Sequence, residues 1–204
     1  MGMLSVDLFI TLDGVYQAPG GPDEDPSGGF EFGGWQAAYS DQGTGAVIMA
    51  GIDRMDALLL GRRTYDIFAG YWPSQDAGDP IAGKFNAMPK FVVSRSLTDP
   101  SWQGTTALPD VSEVGQLKDR FEDIHVVGSG DLTRSLLNAD LVDRLNLYVY
   151  PLTFGKGKKL WTEGTGIPAA FRLVGQPQAF PKGALCLVYE RAGDPVTGID
   201  IGQQ

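Results

Sequence analysis

Apolar positions alternate from Leu4 to Ile10 and predict a first strand. Thr11-Leu12-Asp13-Gly14 then turns the chain into a polar, glycine-rich stretch that lasts to Gly34 and holds Pro19-Gly20-Gly21-Pro22 and the acidic Asp23-Glu24-Asp25. A connection of that length is either a functional lid or a disordered insertion. From Trp35 to Met55 the spacing is loosely helical, with Gly43, Gly45 and Gly51 weakening one continuous helix. Ala57 to Leu60 forms a short apolar strand that runs into Gly61-Arg62-Arg63-Thr64-Tyr65-Asp66, a strand-to-helix turn whose helix carries Ile67 and Phe68. Beyond Tyr71-Trp72-Pro73 come an amphipathic stretch near Ile81 to Met88, a strand from Lys90 to Ser94 and a helix from Val111 to Phe121.

The pattern then repeats. Ile124 to Val127 reads as a buried strand, closed by Gly128-Ser129-Gly130 and followed by the helical spacing of Leu132, Leu136 and Leu137. A strand from Arg144 to Tyr150, a loop from Pro151 to Lys159 and two closing strands near Phe171 to Gln178 and Ala184 to Arg191 complete the chain, the last two as an antiparallel pair. Strands alternating with helices and ending in paired strands predict an α/β fold: a mostly parallel sheet, helices on both faces and an antiparallel edge. At 204 residues one domain over positions 1–191 is expected, with 192–204 as a flexible tail.

Composition narrows the function classes. A chain 43% hydrophobic and 20% charged has enough apolar residues for a packed core. The net charge of −9 opposes approach to nucleic acid or an anionic membrane, so a small-molecule partner is expected. One cysteine (Cys186, in the apolar run Leu185-Cys186-Leu187-Val188-Tyr189) and one histidine (His125) exclude an intrachain disulfide and argue against a zinc site. The N-terminus lacks signal-peptide character and no run is long enough to span a membrane, so the cytoplasm is the expected location.

Three strand ends offer donors for an anion. Gly61-Arg62-Arg63-Thr64 puts backbone N–H groups and two guanidinium forks at a helix start; the alternative is a helix capped by Thr64 with two solvated arginines. Gly128-Ser129-Gly130-Asp131-Leu132-Thr133 has glycines that permit close approach of a pyrophosphate, though Thr133 stands where a dinucleotide fingerprint has its third glycine. Ser94-Arg95-Ser96 brings two hydroxyls and a guanidinium to a sheet edge, or is an ordinary polar turn. Gly155-Lys156-Gly157-Lys158-Lys159 lacks the ending of a phosphate loop and reads as surface. His125, within a buried strand, reads as a satisfied core histidine.

Taken in order, these turns resemble the dihydrofolate reductase fold, and most closely the reductase domain of riboflavin biosynthesis with its stand-alone relatives. The resemblance is carried by Val126-Val127-Gly128-Ser129-Gly130, Leu136-Leu137, Leu141-Val142-Asp143-Arg144-Leu145, Tyr150-Pro151, Phe154-Gly155-Lys156-Gly157 and Leu160-Trp161, and upstream by Ser5 to Gly14 and Gly61 to Thr64. It implies a three-layer dihydrofolate reductase-like fold and a homodimer. It further implies that Gly61, Arg62, Arg63, Thr64, Ser94, Arg95, Ser96, Gly128, Ser129, Gly130, Asp131 and Leu132 hold the phosphates and adenosine of NADPH, with Gly14 and the following loop toward nicotinamide and substrate. NADPH over NADH would follow from Arg62 or Arg95 pairing with the 2'-phosphate. The implied reaction is hydride transfer to a heteroaromatic, ribosylamino-pyrimidine or pterin-like compound, similar to reduction of 5-amino-6-(5-phosphoribosylamino)uracil; the alternative is a non-catalytic dinucleotide- or pterin-binding module. Folate-reducing members carry an acid on the first helix with no clean counterpart here. Asp41 and Asp53 fit by position and Asp13 is the candidate catalytic acid, while Phe30, Phe32 and Trp35 are candidates for shaping a different substrate pocket.

Overall fold

The computed structural model describes residues 1–76, 78–164, 166–200 and 202. The strands are β1 (Met3–Thr11), β2 (Ala57–Gly61), β3 (Lys90–Val93), β4 (Thr105–Leu108), β5 (Asp123–Val127), β6 (Arg144–Tyr150), β7 (Phe171–Leu173), β8 (Gln178–Ala179) and β9 (Leu185–Arg191). The α-helices are α1 (Gln42–Arg54), α2 (Arg62–Tyr71), α3 (Pro80–Ala87) and α4 (Gly130–Asn138). All strands join one sheet in the order β4-β3-β2-β5-β1-β6-β9-β7, with β8 also on β9. Pairing is parallel from β4 through β6 and antiparallel where β9 meets β6, β7 and β8.

The central strands are buried on both faces because both are covered, with a polar group of Ser5, Asp7, His125 and Asn146 set among their apolar residues. On one face Leu4, Val6 and Leu8 of β1 pack with Ile124 and Val126 of β5 against Leu132 and Leu136 of α4 and the 3-10 segment Val111–Asp119. On the other, Leu58 and Leu60 of β2 pack against Ile52 of α1, Tyr65 of α2 and Phe85 of α3. The result is the three-layer dihydrofolate reductase-like fold, helices on both faces of a mostly parallel sheet.

Local chemistry sets the helix boundaries. Asp41 caps α1 by accepting from Thr44 N–H at 2.9 Å, so the helix starts at Gln42, and the residues from Trp35 on form only a 3-10 turn before it. Asp79 caps α3, with Pro80 in the first helical turn. The expected helix from Val111 to Phe121 is a 3-10 helix instead. The expected long strand from Phe171 is broken into β7 and β8. Leu173 pairs with Tyr189 but Gln178 with Cys186, so extra residues bulge between them at Gly175, whose φ is +71°, and Pro177. Strand β4 is an edge strand, half exposed and threonine-rich, and its sequence carries too little apolar alternation to announce it.

Candidate functional site

Strands β3, β2 and β5 are neighbours, so the turns that follow them meet along one sheet edge. There they line a single cleft of about 1300 Å³. Gly61, Arg62, Arg63, Thr64, Ser94, Arg95, Gly128, Ser129, Gly130, Asp131 and Leu132 all line it. Ser96 stands beside it and accepts from the Arg62 guanidinium at 3.3 Å. Neither α2 nor α4 has a side-chain cap: Gly61, at the N-cap of α2, has no side chain, Thr64 lies inside that helix, and the Ser129 hydroxyl at the N-cap of α4 is turned to the Gly61 N–H and Val127 carbonyl, so the first-turn N–H groups of both helices remain available to an anion. Gly128, at φ +61°, makes the turn that delivers Ser129 to Gly61.

Gly130 has a different use from the one its place in the motif suggests. A Cβ there would meet the ring of Tyr16 at 2.2 Å, so this glycine seats an aromatic from the long loop. Asp13 and Gly14 lie outside the cleft lining. Gly14 adopts φ +79° in a tight turn, its N–H donating to Thr11 carbonyl at 2.9 Å. The Asp13 carboxylate accepts from Thr11 hydroxyl at 2.6 Å and Gly155 N–H at 2.9 Å and lies 3.3 Å from the Lys159 ammonium. Burial pushes its pKa up, but these partners outweigh burial and hold it at about 2. A group so strongly acidic and so placed braces two turns and is unsuited to donating a proton to the cleft. Phe30 and Trp35 are buried core, and Phe32 stacks on Phe154 at 5.0 Å; none of the three lines the cleft. Asp41 is the α1 cap, and Asp53 is likewise outside the lining.

The long loop forms a wall: residues 16–25 line the cleft. Its Asp25 carboxylate bridges Arg63 at 2.9 Å and Lys158 at 2.5 Å, so Lys158, read from sequence as surface, reaches the cleft rim. The cleft arginines have carboxylate partners: Arg62 with Asp66 at 2.9 Å, Arg95 with Asp110 at 3.6 Å. At 1.5 Å per residue the ten residues of α2 run about 13 Å along the site, from arginines in its first turn to Phe68 and Tyr71 in its last. The apolar end is completed by Ile48 and Ile52 of α1, Trp72, and Ile81 and Phe85 of α3, over a sheet floor of Asp7, Phe9 and Tyr148.

Asp7 is the cleft residue that motif reading missed. Its side chain is 7% exposed, and the carboxyl meets Nδ1 of His125 at 2.5 Å and accepts from the Asn146 amide at 3.0 Å. His125 Nε2 meets Asp123 at 3.0 Å. Burial alone would lower the His125 pKa; hydrogen bonds to Asp123 and Asp7 and their charges raise it to about 9. The available signal was an acid at the centre of an apolar strand. Among the described residues no His, Cys, Asp and Glu group is placed to hold a metal ion, and no helix is long and apolar enough to cross a membrane.

The profile of the RibD C-terminal domain family matches residues 3–183. The chain belongs to that family. It is 26% identical over 165 residues to the uncharacterised protein YyaP of Bacillus subtilis (strain 168), covering 78% of this chain and 79% of that one. Its fold is that of a putative riboflavin biosynthesis protein from Shewanella sp. PV-4, at TM-score 0.66 and 19% identity, covering 93% of this chain and 99% of the other. A pyrimidine reductase-like protein from Corynebacterium diphtheriae aligns at TM-score 0.59 and 13% identity, over 95% and 93% of the two chains.

Proposed function

We propose that this RibD C-terminal domain protein is an NADPH-dependent reductase of a heteroaromatic, pyrimidine- or pterin-like compound. The observation that carries the reading is the convergence of three donor-rich strand ends, Gly61 to Thr64, Ser94 to Ser96 and Gly128 to Leu132, on one cleft whose far end is apolar. A volume of about 1300 Å³ exceeds the roughly 300–1,000 Å³ of an ordinary small-molecule pocket, leaving room for a dinucleotide and a second, flat molecule.

The residues fit the cofactor. The uncapped first turns of α2 and α4 would hold the pyrophosphate, and Arg62, with Ser94 and Ser96, would hold the 2'-phosphate that distinguishes NADPH from NADH. When bound, NADPH supplies hydride. The protein positions the acceptor ring between the apolar end and the sheet floor and excludes water from it with the wall of residues 16–25. Titration of the purified protein with NADPH and with NADH, followed by nicotinamide fluorescence, tests the reading. Saturable, NADPH-selective binding is expected; equal affinity for both would remove the 2'-phosphate assignment, and binding of neither would remove the enzyme.

A further inference from the structure

Among the described residues seven carboxyl side chains line the cleft, and six are accounted for. Asp25, Asp66, Asp110 and Asp131 are paired with Arg63 and Lys158, Arg62, Arg95 and Arg134 respectively. Glu24 accepts from the Gly20 and Gly21 N–H groups, and Asp23 is exposed on the loop. Asp7 differs in every respect: it is buried, lies on the sheet floor by Tyr148, and is held by the chain's one histidine. Its oxygens are separately engaged, Oδ1 by the Asn146 amide and Oδ2 by His125 Nδ1, which fixes the carboxyl plane. Its own backbone carbonyl accepts from Gly128 N–H at 3.1 Å, so the same residue anchors the glycine turn of the anion site. His125 is 1% exposed, and both ring nitrogens face carboxyls.

On the reductase reading, we propose that Asp7 carries the proton to a ring nitrogen of a heterocyclic substrate and that His125 behind it supplies that proton. The step balances. A C=N carbon of the ring takes hydride from the dihydronicotinamide, which is oxidised; the C=N electron pair moves to nitrogen, which takes the proton from Asp7. The Nδ1 proton of His125 crosses the 2.5 Å contact to Asp7 Oδ2, and after product leaves, water in the open cleft returns a proton by the same route. Asp7 is then the catalytic residue and His125 a positioning and proton-storing one. The groups facing the pair are Asp123 from β5, Tyr148 and Arg144 from β6, Cys186 from β9 and Arg54 from α1. Burial raises both Tyr148 and Cys186, which leaves His125 as the proton store between neutral pH and about 9.

One histidine makes the test direct, since its ring resonances report a single residue in isotope-labelled protein. In the NADPH-bound wild type, adding pterin should shift the His125 signals and change its titration. Asp7→Asn should keep NADPH affinity within about twofold, lose pterin affinity at least tenfold and lower the His125 titration. His125→Gln should flatten the pH dependence of pterin binding between pH 7 and 9. A His125 titration unchanged at pterin saturation, wild-type pterin affinity in Asp7→Asn, or failure of both pterin and 2,4-diaminopyrimidine to saturate a protein that binds NADPH would overturn the proposal. The wild-type arm stands even if a variant does not fold. Absence of NADPH binding by the wild type is a separate signature that overturns the reductase reading and the step with it.

Discussion

The backbone N–H of Gly61 donates to the hydroxyl of Ser129 at 3.0 Å, joining two strand-to-helix turns that are 68 positions apart in sequence. The bond orients both uncapped helix starts toward the same volume. Ser129→Ala removes one hydrogen bond worth about 1 kcal/mol, so the melting temperature should fall by about 2–4 °C, and NADPH affinity should fall as the two helix starts lose their common register. A fluorescence titration checks it; unchanged affinity would mean that the two turns are held in register without Ser129.

Arg62 is the better placed of the two arginines to read a 2'-phosphate. Asp66 grips its Nε, while its NH1 reaches Ser96, so the fork is oriented before ligand arrives; Arg95 is 85% exposed and pairs with Asp110 at 3.6 Å. Arg62→Met should cost NADPH about tenfold or more and NADH less than about twofold, with Arg95→Met the milder change, by competitive titration of the two cofactors.

Asp25 holds the long loop against the start of α2 through Arg63, and against Lys158. With Arg63 largely exposed the bridges are individually weak, roughly 0.2–1 kcal/mol, so Asp25→Ala should leave global stability nearly unchanged. Local opening should rise, and limited proteolysis between Gly20 and Gly34 should accelerate severalfold. An unaltered cleavage pattern would count against the clamp.

His125 gives stability a pH dependence of known sign. Its folded pKa of about 9 lies above the ordinary 6.5, so the contribution is complete below about 6.5 and is lost as pH rises through 9. The shift corresponds to about 3 kcal/mol at most. Urea unfolding of the wild type should weaken over that window, and the His125→Gln profile should be flatter and lower at pH 6.

Lys90 offers a control behind the cleft, since it is not among the lining residues but holds the end of the helix that carries Phe85. Its buried ammonium donates to the carbonyls of Phe85, Asn86 and Met88 at 2.8–3.1 Å, closing the end of α3, and lies 4.7 Å from the Trp102 ring centroid. Lys90→Met leaves those carbonyls without their donor and should destabilise by about 3 kcal/mol in denaturant titrations, while the folded fraction keeps its NADPH affinity.

Local patterning made much of the molecule legible. Leu4 to Ile10 announced a strand by its alternation and Ala57 to Leu60 and Ile124 to Val127 by their short, mostly apolar runs, and the glycine and arginine turns after them marked the donor-rich strand ends that meet at the cleft. The α/β class, its layers and the three donor segments were therefore determined by the sequence itself. What depended on the tertiary structure is whatever arises between residues far apart in the chain. The Tyr16 ring over Gly130, the Asp25 bridge to Arg63 and Lys158, and the Asp7–His125 contact across 118 positions have no local signature. Asp13 shows the converse: its turn was evident, but only the fold revealed that Gly155 and Lys159 hold its carboxylate ionised, away from the cleft. A turn or a strand reflects the preferences of adjacent residues, whereas a proton store or a cleft wall requires partners that only packing brings together.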